Sequence, residues 1–157
     1  MSTTGVTRLV RGVAILAFGA AMVALSGCGA ITKELSDGDF AETIPAALAE
    51  SDIGVTDSFA AKGIDGFTFN LIVGVDLDHG ELSADDLAGI LTIVLQNNDV
   101  PSDQIKLSVN DVDGEPIDVK EVVEQISPDL ETRAASYGDL AVTNDQAAAI
   151  VEAVWGE

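Results

Sequence analysis

Cysteine, histidine and positive charge are scarce in this chain of 157 residues, and each shortage closes off a class of chemistry. The single cysteine, Cys28, cannot form a disulfide within the chain, so stability must come from packing. The single histidine, His79, cannot build a zinc set with that one thiol, and no Gly-rich loop precedes a Lys-Ser or Lys-Thr pair to cradle a phosphate. Seven Lys and Arg stand against 27 Asp and Glu, a formal charge of −20. Beyond Arg8 and Arg11, the cations Lys33, Lys62, Lys106, Lys120 and Arg133 are scattered without a basic stripe. Nucleic acid is therefore excluded as a partner, because neutralising phosphates needs clustered cations. Aromatics are few as well. After residue 27 only Phe40, Phe59, Phe67, Phe69, Tyr137 and Trp155 remain, and Leu, Ile and Val must fill most of a core.

Long apolar runs are also missing, with one instructive exception. Residues 12–25 are apolar or small without a charge, preceded by Arg8 and Arg11. That is the shape of a secretory signal. The run is shorter than the roughly twenty residues that span a bilayer core, and no stop-transfer pattern follows, so a permanent transmembrane helix is not expected. The two arginines are not adjacent, which leaves out the twin-arginine export signal.

The run ends in Leu25-Ser26-Gly27-Cys28. Here the chain resembles the bacterial lipoprotein family, whose lipobox is a Leu, two small residues and an invariant Cys. The resemblance is local to the signal and leaves the rest of the chain unassigned. It implies cleavage between Gly27 and Cys28, with a diacylglyceryl group joined to the Cys28 sulfur. The residue types suit that chemistry, since a thioether needs a thiol nucleophile and small residues let an extended backbone enter a protease groove. Each buried methylene contributes about 0.8 kcal/mol, and two acyl chains hold durably where one holds marginally. The resemblance thus implies a protein anchored to the cell membrane on its outer side.

On that reading residues 1–27 are the signal peptide, 28–39 a lipidated tether and 40–157 a single small domain. Losing Arg8 and Arg11 takes the formal charge from −20 to −22. Such a charge repels anionic headgroups within about 8 Å at physiological salt. The tether is rich in Gly, Ser, Lys and acids, and it reaches about 40 Å at most.

Along the domain, a short helix is expected near Pro45, carrying Leu48. Ile53, Val55, Phe59 and Ala61 suggest one face of a strand. Phe67, Phe69, Leu71, Val73, Val75 and Leu77 alternate clearly against Thr68, Asn70, Gly74 and Asp76. Asp65-Gly66 between these runs predicts a tight hairpin. Ser83 and Asp86 predict a capping box, followed by a helix with Leu87, Ile90, Leu91, Val94 and Leu95 on one side. Asn97 or Asn98 in a left-handed conformation and then Pro101 end it. Ile105, Leu107 and Val109 make a further strand. Asp118 caps a helix bearing Val119, Val122, Val123 and Ile126, a short helical piece is expected over 127–138, and Thr143 with Gln146 opens a last helix that Trp155 docks. The expected fold is a two-layer α+β domain, its antiparallel or mixed sheet of three to four strands covered by helices on one face. The element order is similar to the αββαβ modules of bacterial envelope proteins such as the BON domain, though no residue motif extends that likeness to function.

Candidate chemistry is thin. In Asn110-Asp111-Val112-Asp113-Gly114, placing Gly114 sixth in a calcium loop puts Val109 first and Lys120 last, where carboxylates are required. The loop beginning at Asp76 would end at Leu87. Both read as turns, in which Asp and Gly serve the local backbone. Ser83, the hydroxyl nearest His79, serves better as a helix cap than as a nucleophile. Paired carboxylates for glycoside hydrolysis cannot be picked out among so many acids. No metal or cofactor is expected. One surface stands out: Thr68, Asn70, Lys106 and Ser108 lie on the second sheet face, for which no amphipathic helix is left over. The leading reading is a non-enzymatic accessory or interaction module, its partner an envelope protein. The alternatives are a ligand-binding lipoprotein and an extracytoplasmic hydrolase using carboxylates.

Overall fold

The two alternating runs on either side of Asp65-Gly66 fold back as an antiparallel hairpin, β1 (Val55–Asp65) and β2 (Thr68–Leu77), in the computed structural model, which describes residues 38–134 and 138–156. Gly66 at φ +63° supplies the turn's left-handed position. Ahead of the hairpin lies helix α1 (Phe40–Ala49). After it come α2 (Ala84–Asn97), β3 (Gln104–Asn110), α3 (Val119–Ile126), β4 (Arg133–Ala134), β5 (Leu140–Val142) and α4 (Asn144–Trp155). The strands form one mixed sheet in the order β1-β2-β3-β5-β4, with β2 and β3 parallel across the α2 crossover and the other pairs antiparallel. The described residues all belong to the compact unit Ser36–Glu157.

One core lies between the sheet and its helices. Leu71, Val73, Val75 and Leu77 of β2, Ile105, Leu107 and Val109 of β3, and Leu140 and Val142 of β5 are buried on one side of the sheet. Phe40, Ile44 and Leu48 of α1, Leu87, Ile90, Leu91 and Val94 of α2, Val119 and Val123 of α3, and Ala147 and Ile150 of α4 meet them there. The fold is a two-layer α+β domain with helices on one sheet face. Burying each Leu, Ile or Val side chain contributes about 1.5–3 kcal/mol, which is how a core with so few aromatics holds.

The helix starts follow the expected caps. Ser83 Oγ accepts from Asp86 N and Asp86 Oδ2 from Ser83 N, while Thr143 and Gln146 make the same reciprocal pair at α4. Asp118 Oδ1 accepts from Glu121 N at α3. Helix α1 is different: it starts five residues before Pro45, at Phe40, and Asp39 makes no side-chain cap. Asp99, from the α2–β3 loop, caps it instead by accepting from Asp39 N at 2.7 Å and Phe40 N at 3.2 Å. At the other end of α2, Asn98 is extended at φ −82°, ψ 99°, so the stop is not left-handed; Asn97 Nδ2 donates to Ile93 O.

Two stretches depart from expectation. A bulge between Val55 and Asp57 shifts the phase of β1, so Ala60 rather than Phe59 meets the core opposite Val73. One extra residue flips every side chain beyond it to the other face. Of the helical piece expected over 127–138, residues 127–130 form a turn closed by Leu130 N donating to Ser127 O and Arg133–Ala134 form β4, while 135–137 lie outside the described residues; Gly138 sits at φ +85°. Pro128 withholds a backbone donor there, while Leu140 and Val142 gain burial by pairing β5 with the open edge of β3.

Candidate functional site

The second face of the sheet is built from the residues that the core does not take. Parallel register sets Asn70 beside Gln104, Ile72 beside Lys106, Gly74 beside Ser108 and Asp76 beside Asn110. Thr68, Asn70, Lys106 and Ser108 therefore share one face of two adjacent central strands. All four described helices send their buried side chains to the opposite face. The bulge that took Phe59 out of the core delivers it here: it is 53% exposed and lies over Gly74, where an added Cβ would come within 2.1 Å of its ring. Glycine at 74 is what lets the ring lie flat on the strand.

Polar pairing on this face is uneven. Asn110 Nδ2 donates to Asp76 Oδ1 at 2.8 Å, and Ser108 Oγ makes a long bond of 3.5 Å to Val73 O. Asn70 is only 2% exposed, between Gly63 of β1 and Gln104 of β3; its Nδ2 reaches Thr68 O at 3.5 Å and its Oδ1 has no partner. A buried unpaired acceptor costs about 1–3 kcal/mol. Asp139, next to β5, has its carboxyl raised above the ordinary value by burial, against which nearby Lys106 works. The face thus offers a cation, an aromatic ring and hydroxyls, with the orphan Asn70 carbonyl oxygen shut beneath it.

His79 lies elsewhere, at the end of β2. Its Nδ1 stands 2.8 Å from Asp78 Oδ1 and its Nε2 3.7 Å from Asp86 Oδ2. The bond to Asp78 raises its pKa above the ordinary 6.5; partial burial opposes this, and the charges of Asp86 and Asp78 add to it. Ser83 Oγ donates to Asp86 Oδ2 at 2.5 Å and not to His79, so the hydroxyl belongs to the cap of α2. The acidic turn at Asp111 is also spoken for, its Oδ1 accepting from Asp113 N and Glu115 N, both at 2.9 Å. Among the described residues, no three His, Cys, Asp or Glu side chains gather as a metal-holding group.

A cleft of about 370 Å³ opens at the far end of the sheet, lined by Phe69, Leu95, Asn98, Val100, Ser102 and Asn144 among others. Asn144 Oδ1 has no partner there. Sequence reasoning sent Phe67 and Phe69 into the core. Phe67 instead stands fully exposed beside the turn, and Phe69 is 42% exposed. The one available signal was Gly66, since a residue directly after a hairpin turn is seldom covered. Leu25, Ser26, Gly27 and Cys28 lie outside the described residues. Among those described, no helix is long and apolar enough to cross a membrane.

Fold and surface together define a two-layer α+β domain with one sheet face that no described helix covers. No protein-family model matches the chain, and neither does any curated protein or solved structure.

Proposed function

We propose that the protein is a lipid-anchored, non-enzymatic accessory module on the outer side of the cytoplasmic membrane, tethered through acyl chains on Cys28, which meets an envelope protein through the second face of its sheet. The tetrapeptide Leu25-Ser26-Gly27-Cys28 carries the anchor. The second sheet face carries the interaction, because no described helix packs on it and its strands present polar side chains beside the half-exposed Phe59. Thr68, Lys106 and Ser108 give that face its polar partners, and Phe59 adds apolar area.

The experiment uses the full chain in its native membrane, with a photoreactive side chain placed at Ser108 or at Glu152, exposed on helix α4 of the helix-covered side. The expected result is one protein adduct from Ser108 only, lost on Lys106→Glu, with the protein leaving the membrane fraction on Cys28→Ala. Equal labelling from both positions contradicts the interaction face, and membrane retention without Cys28 contradicts the anchor. The cleft lined by Phe69, Leu95 and Asn98 favours a second reading, a ligand-binding lipoprotein.

A further inference from the structure

The β1–β2 hairpin ends in bare apolar side chains. Ile64 is 68% exposed, Phe67 101% and Phe69 42%. Nothing lies within 4 Å of where a Cβ on Gly66 would stand, so the turn is open to its surroundings at that residue. Clustered exposed apolar side chains mark a contact surface.

The chain enters the domain at this same end. Phe69 N donates to Asp103 Oδ2 at 2.7 Å and Asp103 N to Phe69 O at 2.8 Å, which ties the tip to the α2–β3 loop. In that loop Asp99 holds the backbone of Asp39 and Phe40. Val100 links the two, lying against Gly38 and lining the cleft with Phe69. From Gly38 back to Cys28 is ten residues, a reach of about 35 Å at most.

We infer that Ile64, Phe67 and Phe69 insert into the outer leaflet of the membrane that holds Cys28, so the hairpin tip is a second, non-covalent anchor that sets the domain's orientation. The inference rests on the lipid-anchor reading, which turns this end of the domain towards the bilayer. Apolar side chains of this kind sit about 5–10 Å deep, at the boundary of headgroups and acyl chains. Lys62, 5.3 Å from the Phe69 ring centroid, can extend its stem along the ring and leave its ammonium among the phosphates. Asp65 faces the other side of the hairpin from Ile64, and with Asp99 and Asp103 it stays in water, which limits the depth. A short tether holds the tip at the bilayer, and this favours lipid over a protein partner as its occupant.

Trp155, the only tryptophan, gives the test a built-in reference. Its Nε1 donates to Asp85 in the first turn of α2, whereas the tip lies at that helix's last turn. The full chain, recovered from host membranes, is reconstituted into phosphatidylcholine vesicles brominated on their acyl chains. Intact mass on the same sample reports acylation of Cys28. In an acylated Phe67→Trp, Trp155→Phe chain, emission is expected to shift to the blue and be quenched, while native Trp155 keeps its emission. An acylated chain with an unquenched indole at the tip overturns the inference and leaves the anchor standing. Equal quenching at both ends overturns the orientation. An unacylated chain overturns the anchor reading and this inference with it.

Discussion

Asp99 supplies to helix α1 the carboxylate that Asp39, one residue before the helix, does not. A negative group accepting two free N–H donors satisfies the helix start and its dipole together, and it also pins the α2–β3 loop to the domain's entry point. Asp99→Ala is expected to cost about 1–2 kcal/mol in urea unfolding, with Asp39→Ala costing much less. His79 makes a second residue-scale prediction. Its raised folded pKa means that its contribution is fully present below pH 6.5, its ordinary value, and is lost as pH rises through the higher folded value. Urea midpoints measured from pH 6 to pH 8 should therefore fall through that window in the native protein, and the fall should shrink in His79→Gln.

At the scale of elements, strands and helices with a long clean period were legible in the chain and phase errors were not. Leu87, Ile90, Leu91 and Val94 repeat at helical spacing behind a Ser83–Asp86 box, and α2 forms there. Leu71 to Leu77 alternate, and β2 forms there. In β1 the residue types could not reveal that a bulge near Thr56 would move Ala60 inward and Phe59 outward. That choice belongs to register with β2, where Gly74 makes room for the ring. Strand β5 escaped notice because three residues carry too little period, and its stability comes from the edge of β3. The shared face of Thr68, Asn70, Lys106 and Ser108 was legible because strand alternation alone sets it; the orphaned Oδ1 of Asn70 was not, because hydrogen-bond partners are a three-dimensional property. Three substitutions test these placements by denaturant unfolding. Leu140→Ala should cost about 2–5 kcal/mol, as for a fully buried leucine. Ala60→Asp should destabilise severely by burying an unpaired charge, whereas Phe59→Ser should cost little.

For the whole molecule, charge sets the terms. With residues 1–27 removed, the formal charge is −22, and the self-repulsion of so many carboxylates opposes the compact state. Raising salt from about 10 mM to about 150 mM shortens the screening length from about 30 Å to about 8 Å, and the unfolding midpoint should rise accordingly. On the proposed reading, the same charge would keep the domain off anionic headgroups, so a covalent lipid on the sole cysteine would be its means of retention. On the proposed reading, anchor, short tether and apolar hairpin tip act at one end of the domain, and the second sheet face, which no described helix covers, lies along its side.

The central claim is the lipid on Cys28, and intact mass tests it most directly. Protein recovered from its native membrane is compared with a Cys28→Ala form. The account predicts a mass for residues 28–157 plus a diacylglyceryl group, absent from the substituted chain. An unmodified chain, or one cut elsewhere and released, would contradict it and leave a secreted acidic domain with a free thiol.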